Sequence, residues 1–387
     1  WKKHNKNIIK EAKNNEKLTK IFKQKKIFNE EIRSKTDVII SNKKSNNNWI
    51  ESNFSKDNFI PHLEYVNKKN RIFKSKKIGK TKYFDETLHQ EPLISEESIF
   101  FSDLSGNIYN FSIYNKNLIW KFNFYKKKIK NIPIKINLKI ISNNLLVSDS
   151  LGYFYNIDIN TGKIIWAKNQ GIPLTSEIKS NGEKIFLLNQ DNKFYIFSKN
   201  KGKKIIDFET FPVILKKNNK QTLAFDSKEN LYFVTSAGQI FSINHENYRI
   251  NWLKNIKASD TREEYGLFYS SPILYKDENI FLSTSNSTFS INSQNGNTNW
   301  ELSFGTKIRP IISNKNIFLI SEDGFILNLD ITNGNIIWSK KLYKTKNINL
   351  KEMGSVTSLF LISDQIFFST KNFYFFFINY KNGEIIN

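Results

Sequence analysis

Apolar residues in this chain come in short bursts, each closed by a cluster of turn-forming residues. The stretch Asn144-Leu145-Leu146-Val147-Ser148 is one such burst, of strand length. Asp149-Ser150-Leu151-Gly152 follows as a turn, where Gly152 can take a positive φ without a Cβ clash. Tyr153, Tyr155, Ile157 and Ile159 then alternate with Phe154, Asn156 and Asp158, the two-residue period of a strand. Asn160-Thr161-Gly162 makes the next turn, and Lys163-Ile164-Ile165-Trp166 a short outer strand. The upstream run Pro133–Leu138 completes a unit of four strands.

The unit recurs. Fourteen residues separate Gly106 from Trp120, Gly152 from Trp166, Gly238 from Trp252, and Gly324 from Trp338. Asn286 precedes Trp300 by the same interval, and Asn is the usual substitute where a positive φ is needed. A further copy runs from Asn192 to Ile206, with Ile in the tryptophan position. A second glycine stands four residues before the aromatic at Gly162, Gly296 and Gly334, and Gly202 precedes Ile206 likewise. Seven strand groups, centred near residues 100, 145, 187, 232, 282, 318 and 368, are expected to be the inner strands. Four antiparallel strands in roughly 40–48 residues make one blade of a β-propeller. The predicted fold is therefore all-β, a propeller of four-stranded antiparallel blades. Seven blades are visible, or eight if the chain is cut short at its C-terminus. The last copy (369–387) stops where its tryptophan belongs and carries one extra residue. Each tryptophan is expected to pack on the neighbouring blade, removing about 150–250 Å² of its surface from water, worth about 4–6 kcal/mol before entropy.

Three segments are expected. Residues 1–48 are a polar, basic extension, mostly extended or disordered, with Ile9, Leu18, Ile21 and Phe22 able to form a weak amphipathic helix and Val38-Ile39-Ile40 a stray strand. Residues 49–70 are a lead-in, and residues 71–387 the propeller. RIFKSKKI (71–78) reads as an orphan outer strand, with Phe73 in the tryptophan position, able to close the ring.

Composition narrows the chemistry. There is no cysteine, which excludes disulfides, thiolate metal sites and a cysteine nucleophile. The net charge is +23, but Lys, Asn, Ile and Phe are over-used together, the set favoured by A/T-rich codons. The bases are also scattered along the chain, without the stripe a nucleic-acid groove needs, so no nucleic-acid partner is expected. No apolar run is long enough for a transmembrane helix. The chain opens on Trp1, which reads as a processed or trimmed product whose export signal has gone. His4, His62, His89 and His245 lie far apart, without metal-ligand spacing. Gly79-Lys80-Thr81 lacks the upstream glycine of a phosphate loop, and Asp158–Gly162 lacks the spacing of a calcium loop.

The repeats resemble those of pyrroloquinoline-quinone-type propellers over residues 71–387. Quinoprotein dehydrogenases of this kind use a calcium-bound quinone and a catalytic Asp, and no acidic cluster here matches that set. The segments 47–65, 71–79 and 269–338 are more similar to the non-enzymatic branch, the outer-membrane assembly factor BamB in its α-proteobacterial form. That resemblance implies a periplasmic, peripheral and monomeric scaffold without catalytic residues, cofactor or metal. It implies binding to the periplasmic part of the barrel-forming BamA, to other subunits of the assembly machinery and to unfolded outer-membrane proteins. It places the docking surface on the loop Lys257–Tyr269, with Asp260, Arg262, Glu263, Glu264, Tyr265, Leu267 and Tyr269 as candidate contacts. A quinoprotein-like enzyme and a ligand-sensing ectodomain stand as the alternatives.

Overall fold

The computed structural model describes residues 28, 30–34, 36–65, 91–125, 129, 132–210, 220–256, 268–342 and 350–386. Seven antiparallel sheets follow one another along the chain. The first is β1 (Leu93–Ser95), β2 (Ser98–Ser102), β3 (Asn107–Ser112) and β4 (Leu118–Asn123). The second is β5 (Ile136–Ile141), β6 (Asn144–Asp149), β7 (Tyr153–Asp158) and β8 (Ile164–Asn169). The third is β9 (Lys179–Asn181), β10 (Lys184–Leu188), β11 (Phe194–Ser198) and β12 (Lys204–Phe208). The fourth is β13 (Leu223–Phe225), β14 (Leu231–Val234), β15 (Gln239–Ile243) and β16 (Ile250–Asn255). The fifth is β17 (Leu274–Lys276), β18 (Asn279–Ser283), β19 (Thr288–Asn292) and β20 (Thr298–Leu302). The sixth is β21 (Ile311–Ser313), β22 (Asn316–Ile320), β23 (Phe325–Asp330) and β24 (Ile336–Lys341). The seventh has β25 (Val356–Ile362), β26 (Gln365–Thr370) and β27 (Phe375–Asn379), with Ile385 adding a single bridge to Ile378.

Within each sheet the strands pair in chain order. The third and fourth strands of the first six sheets share a register shift at one place, for example between Asn156 and Ile157 and between Asn328 and Leu329. Such a bulge bends and twists the outer strand. The tryptophan sits opposite the residue before that bulge, as in Asn156↔Trp166 and Asn328↔Trp338.

Both faces of the middle strands are buried: Leu145, Leu146 and Val147 in β6 are wholly covered, as are Ile317, Phe318, Leu319 and Ile320 in β22. A sheet that is apolar on both faces must be sandwiched, and one apolar cluster lies between each consecutive pair from the first sheet to the seventh. The propeller with seven blades predicted from the pattern is the fold observed.

The tryptophans pack as predicted. The indole of Trp120 donates to Ile159 O (2.8 Å), Trp166 to Lys199 O (3.1 Å), Trp252 to Ser293 O (2.8 Å), Trp300 to Ile331 O (2.9 Å) and Trp338 to Tyr380 O (3.1 Å), in each case on the next blade. Each ring lies on that blade's second glycine. A Cβ on Gly334, for instance, would stand 2.7 Å from Trp300 Cδ2. The third blade departs from the rule and compensates for it. Ile206 replaces the tryptophan, and Tyr248, with φ +59°, occupies the facing glycine position and packs in the same cluster.

Two expectations are corrected. The seven strand groups near 100, 145, 187, 232, 282, 318 and 368 are the second strands of their sheets, because shorter strands such as β1, β9 and β13 lie inside them. Asn286 does not take a positive φ, whereas Gly106, Gly152, Gly238, Gly324 and Asn192 do. The fifth blade's turn is tighter, closed by Thr284 N donating to Ser287 O at 2.7 Å, and needs no left-handed residue at that point. The proposed closing strand 71–78, the helical pattern of residues 9–22 and His89 lie outside the described residues.

Candidate docking face and axial strap

The first strands of the blades converge on the propeller axis, and the axis is occupied by the chain itself. Residues 49–63 cross the first strands in ring order. Trp49 exchanges backbone hydrogen bonds with Ile94 of β1 at 2.7 and 2.8 Å. Ile50 O accepts from Ile140 N of β5 at 2.8 Å, and Glu51 meets Lys139 of the same strand at 2.6 Å. Lys56 O accepts from Phe225 N of β13 at 2.9 Å, and Asp57 O from Tyr275 N of β17 at 3.0 Å. Leu63 N donates to Leu361 O of β25 at 3.0 Å. The preceding segment touches the sixth blade, where Ser41 N donates to Ser313 Oγ of β21 at 2.8 Å. Residues 49–63 thus form an axial strap across the inner strands.

Its centre is ionic. Lys179 of β9 is wholly buried, and its ammonium donates to Ser55 O and Asn58 Oδ1, both at 2.6 Å. It lies 3.2 Å from Glu51 and 3.8 Å from Glu177. Glu177 in turn accepts from Leu223 N (2.7 Å) and from Asn53 Nδ2 (2.9 Å). Asn58, also wholly buried, donates through Nδ2 to Leu223 O (2.8 Å) and Ile273 O (2.7 Å), so one side chain joins the third, fourth and fifth blades. Asn58 holds φ +60°, a conformation Asn tolerates better than most residues. Burial alone would push the Glu51 carboxyl up, but Lys179 and Lys139 outweigh it and hold the group below its ordinary value. Burial lowers Lys139 despite its bond to Glu51. His62, a buried strap residue against the seventh blade, places Nδ1 2.7 Å from Ser41 O and accepts from Asp364 N through Nε2 at 3.2 Å.

Sequence reasoning missed this cluster. Lys139, Glu177 and Lys179 are charged residues in or beside the buried inner strands, and that anomaly was the available signal, whereas Glu51 in the strap carried none.

In a meander the turn between second and third strands and the connection to the next blade lie at the same end of the ring. The loop Lys257–Tyr269 is one of those connections. Of its candidate contacts, Asp260, Arg262, Glu263, Glu264, Tyr265 and Leu267 lie outside the described residues. Tyr269 lies within them, with the Lys307 ammonium 4.9 Å from its ring centre and Glu322 3.0 Å from that same ammonium. Beside them a cleft of about 490 Å³, lined in part by Phe28, Phe304, Thr306 and Lys307, opens at this end.

The axial channel is the place in a propeller ring where a planar quinone could be enclosed. Here its space holds Glu51, Ser52, Asn53 and Asn58, all buried. Among the described residues no group of three or more His, Asp or Glu is placed to hold a metal ion. These residues do not fit a calcium-bound quinone.

The fold is similar to BamB from Moraxella catarrhalis, with a TM-score of 0.63 at 14% identity over 77% of this chain and 86% of that one. It is also similar to the quinohemoprotein alcohol dehydrogenase ADHIIG from Pseudomonas putida HK5, with a TM-score of 0.54 at 9% identity over 76% of this chain and 63% of that one. At such identities the likeness shows the propeller alone. No curated protein sequence matches the chain. A family model does, that of outer membrane protein assembly factor BamB, over residues 104–340. That span is more than half of the chain and runs from the first blade into the outer strand of the sixth, so the chain belongs to the BamB family.

Proposed function

We propose that this protein is a scaffold of the outer-membrane β-barrel assembly machinery. It works in the periplasm at the inner face of the outer membrane, binds the periplasmic part of a BamA-like protein and aids insertion of outer-membrane proteins. It performs no chemistry of its own. The observation that carries this reading is the pairing of the family match with a ring whose inner strands are crossed by the protein's own residues 49–63, with the loop ends exposed for partners. The docking site is the end of the ring bearing Lys257–Tyr269, with Asp260, Arg262, Glu263, Glu264, Tyr265, Leu267 and Tyr269 as contacts.

Affinity capture from envelope extract with the intact protein should recover a BamA-like partner. Deleting Asp260–Gly266, or reversing charge with Lys307→Glu, should reduce recovery at least tenfold while the circular-dichroism spectrum stays unchanged. Recovery of no such partner by the parent protein, or equal recovery by the variants, contradicts the reading at the level of partner or of loop respectively.

A further inference from the structure

We propose that the axial edge of the ring is a binding site for a polypeptide segment that turns between its contacts, and that residues 49–63 are its resident, separable ligand. The six apolar clusters that hold the blades together are built almost wholly from strand residues. Trp49 and Phe59 only flank two of them, as half-buried neighbours. The six junctions from the first blade to the seventh therefore have their packing without the strap, while at the closing junction Trp49 pairs with Ile94 of the first blade and sets its ring 6.2 Å from that of Phe360 in the seventh.

The strap's own buried residues are mainly polar: Glu51, Ser52, Asn53, Asn58 and His62 against Ile60. Its contacts are of the kind that recognises a peptide. The first strands of five blades offer backbone groups to the passing main chain, at Ile94, Ile140, Phe225, Tyr275 and Leu361. This is the main-chain part of peptide recognition, which gives affinity without reading side chains. Side chains then fix the register. Lys139 and Lys179 select a carboxylate at the position of Glu51, and the carbonyls of Leu223 and Ile273 with the ammonium of Lys179 select a carboxamide at Asn58. Emptied, the channel would expose Lys139, Lys179 and Glu177 to water, which charged groups accept more readily than apolar walls do. The ligand class is a peptide with an acidic residue seven positions before an Asn and turns between the two, and this chain supplies one in cis.

The test uses the full chain with a protease recognition sequence inserted between Asn67 and Lys68. After cleavage under native conditions, the N-terminal fragment should co-elute with the ring on gel filtration. A fluorescent synthetic peptide covering residues 44–65 should then exchange into the nicked protein, raising its anisotropy, and should not bind the uncut protein. The same peptide carrying Glu51→Lys and Asn58→Leu should bind at least tenfold more weakly. Immediate loss of the fragment, unfolding of the ring as the fragment exchanges, binding to the uncut chain, or equal binding of the altered peptide would each overturn the proposal. None of these readouts involves a BamA-like partner, so the outcome is independent of the docking function.

Discussion

Replacing Lys179 by Met removes one amine from a buried ionic centre. The methionine fills a similar volume, so the cost is electrostatic. In the parent, the ammonium serves Ser55 O and Asn58 Oδ1 at 2.6 Å and lies 3.2 Å from Glu51 and 3.8 Å from Glu177. Without it, Glu51 keeps Lys139 at 2.6 Å, but Ser55 O and Asn58 Oδ1 lose this donor and Glu177 loses its nearest cation. Breaking a buried pair from one side costs about 3–5 kcal/mol, and we expect about 4 kcal/mol for Lys179→Met. Much of this is the penalty of leaving the buried Glu177 carboxylate without its cation, so Lys179→Met with Glu177→Gln should recover about half of it through coupling between neighbours. Urea unfolding followed by tryptophan fluorescence reads both values. The Glu51 carboxyl is held below its ordinary value in the folded state, so its contribution is present above the unfolded pKa and lost as pH falls through the folded one. The gap between parent and variant should therefore narrow on acidification below the usual carboxylate range. A cost under about 1 kcal/mol, a double variant equal to the sum of the singles, or a gap that widens in acid would refute the reasoning.

Other expectations follow from the blade junctions and from one buried acid. Trp338 is wholly buried, so Trp338→Ala should lower stability by about 3–5 kcal/mol in the same unfolding assay. Ile206→Trp should clash with Tyr248 and Tyr248→Gly should leave a cavity, each costing about 1–3 kcal/mol, while the double variant, which restores the pairing of the other blades, should lie within about 1 kcal/mol of the parent. Asp149 is buried, and burial pushes its pKa up to about 7 against the opposing backbone hydrogen bonds from Tyr153, Leu151 and Gly152. A raised carboxyl favours folding when protonated, so that contribution is complete below about pH 4 and is lost as pH rises through about 7. Asp149→Asn should flatten the parent's decline in stability over that window, a decline on the order of 4 kcal/mol at most for a shift from 3.8 to about 7.

The blades were legible because their signal is periodic: a turn residue, an alternating strand and an indole at a fixed interval recur with little change. The strap was not, because residues 49–63 have no repeat partner and no alternation of their own. Their conformation is dictated by the inner strands they cross, which lie far away in sequence. Lys139 within Ile136–Ile141 and Lys179 beside Glu177 were the visible irregularities, since a charge on a strand buried on both faces needs a partner from elsewhere. The Ile206 substitution was visible in the repeat, but its compensation by Tyr248 became intelligible only when the two were seen in one cluster. The proposed docking loop rests on family resemblance alone, because no local pattern marks Asp260–Tyr269 as a contact surface.

The central claim is that the chain's own residues 49–63 lie on the propeller axis against the inner strands. Trp49 and Ile94 form a hydrogen-bonded antiparallel pair, and such pairs stand about 5.5 Å apart at Cα, within the span a disulfide bridges. The chain has no cysteine, so Trp49→Cys with Ile94→Cys introduces the only two thiols. Mild oxidation of the folded protein followed by peptide mapping should find the two joined within one chain in nearly every molecule. Free thiols after oxidation, or links only between separate molecules, would contradict the account.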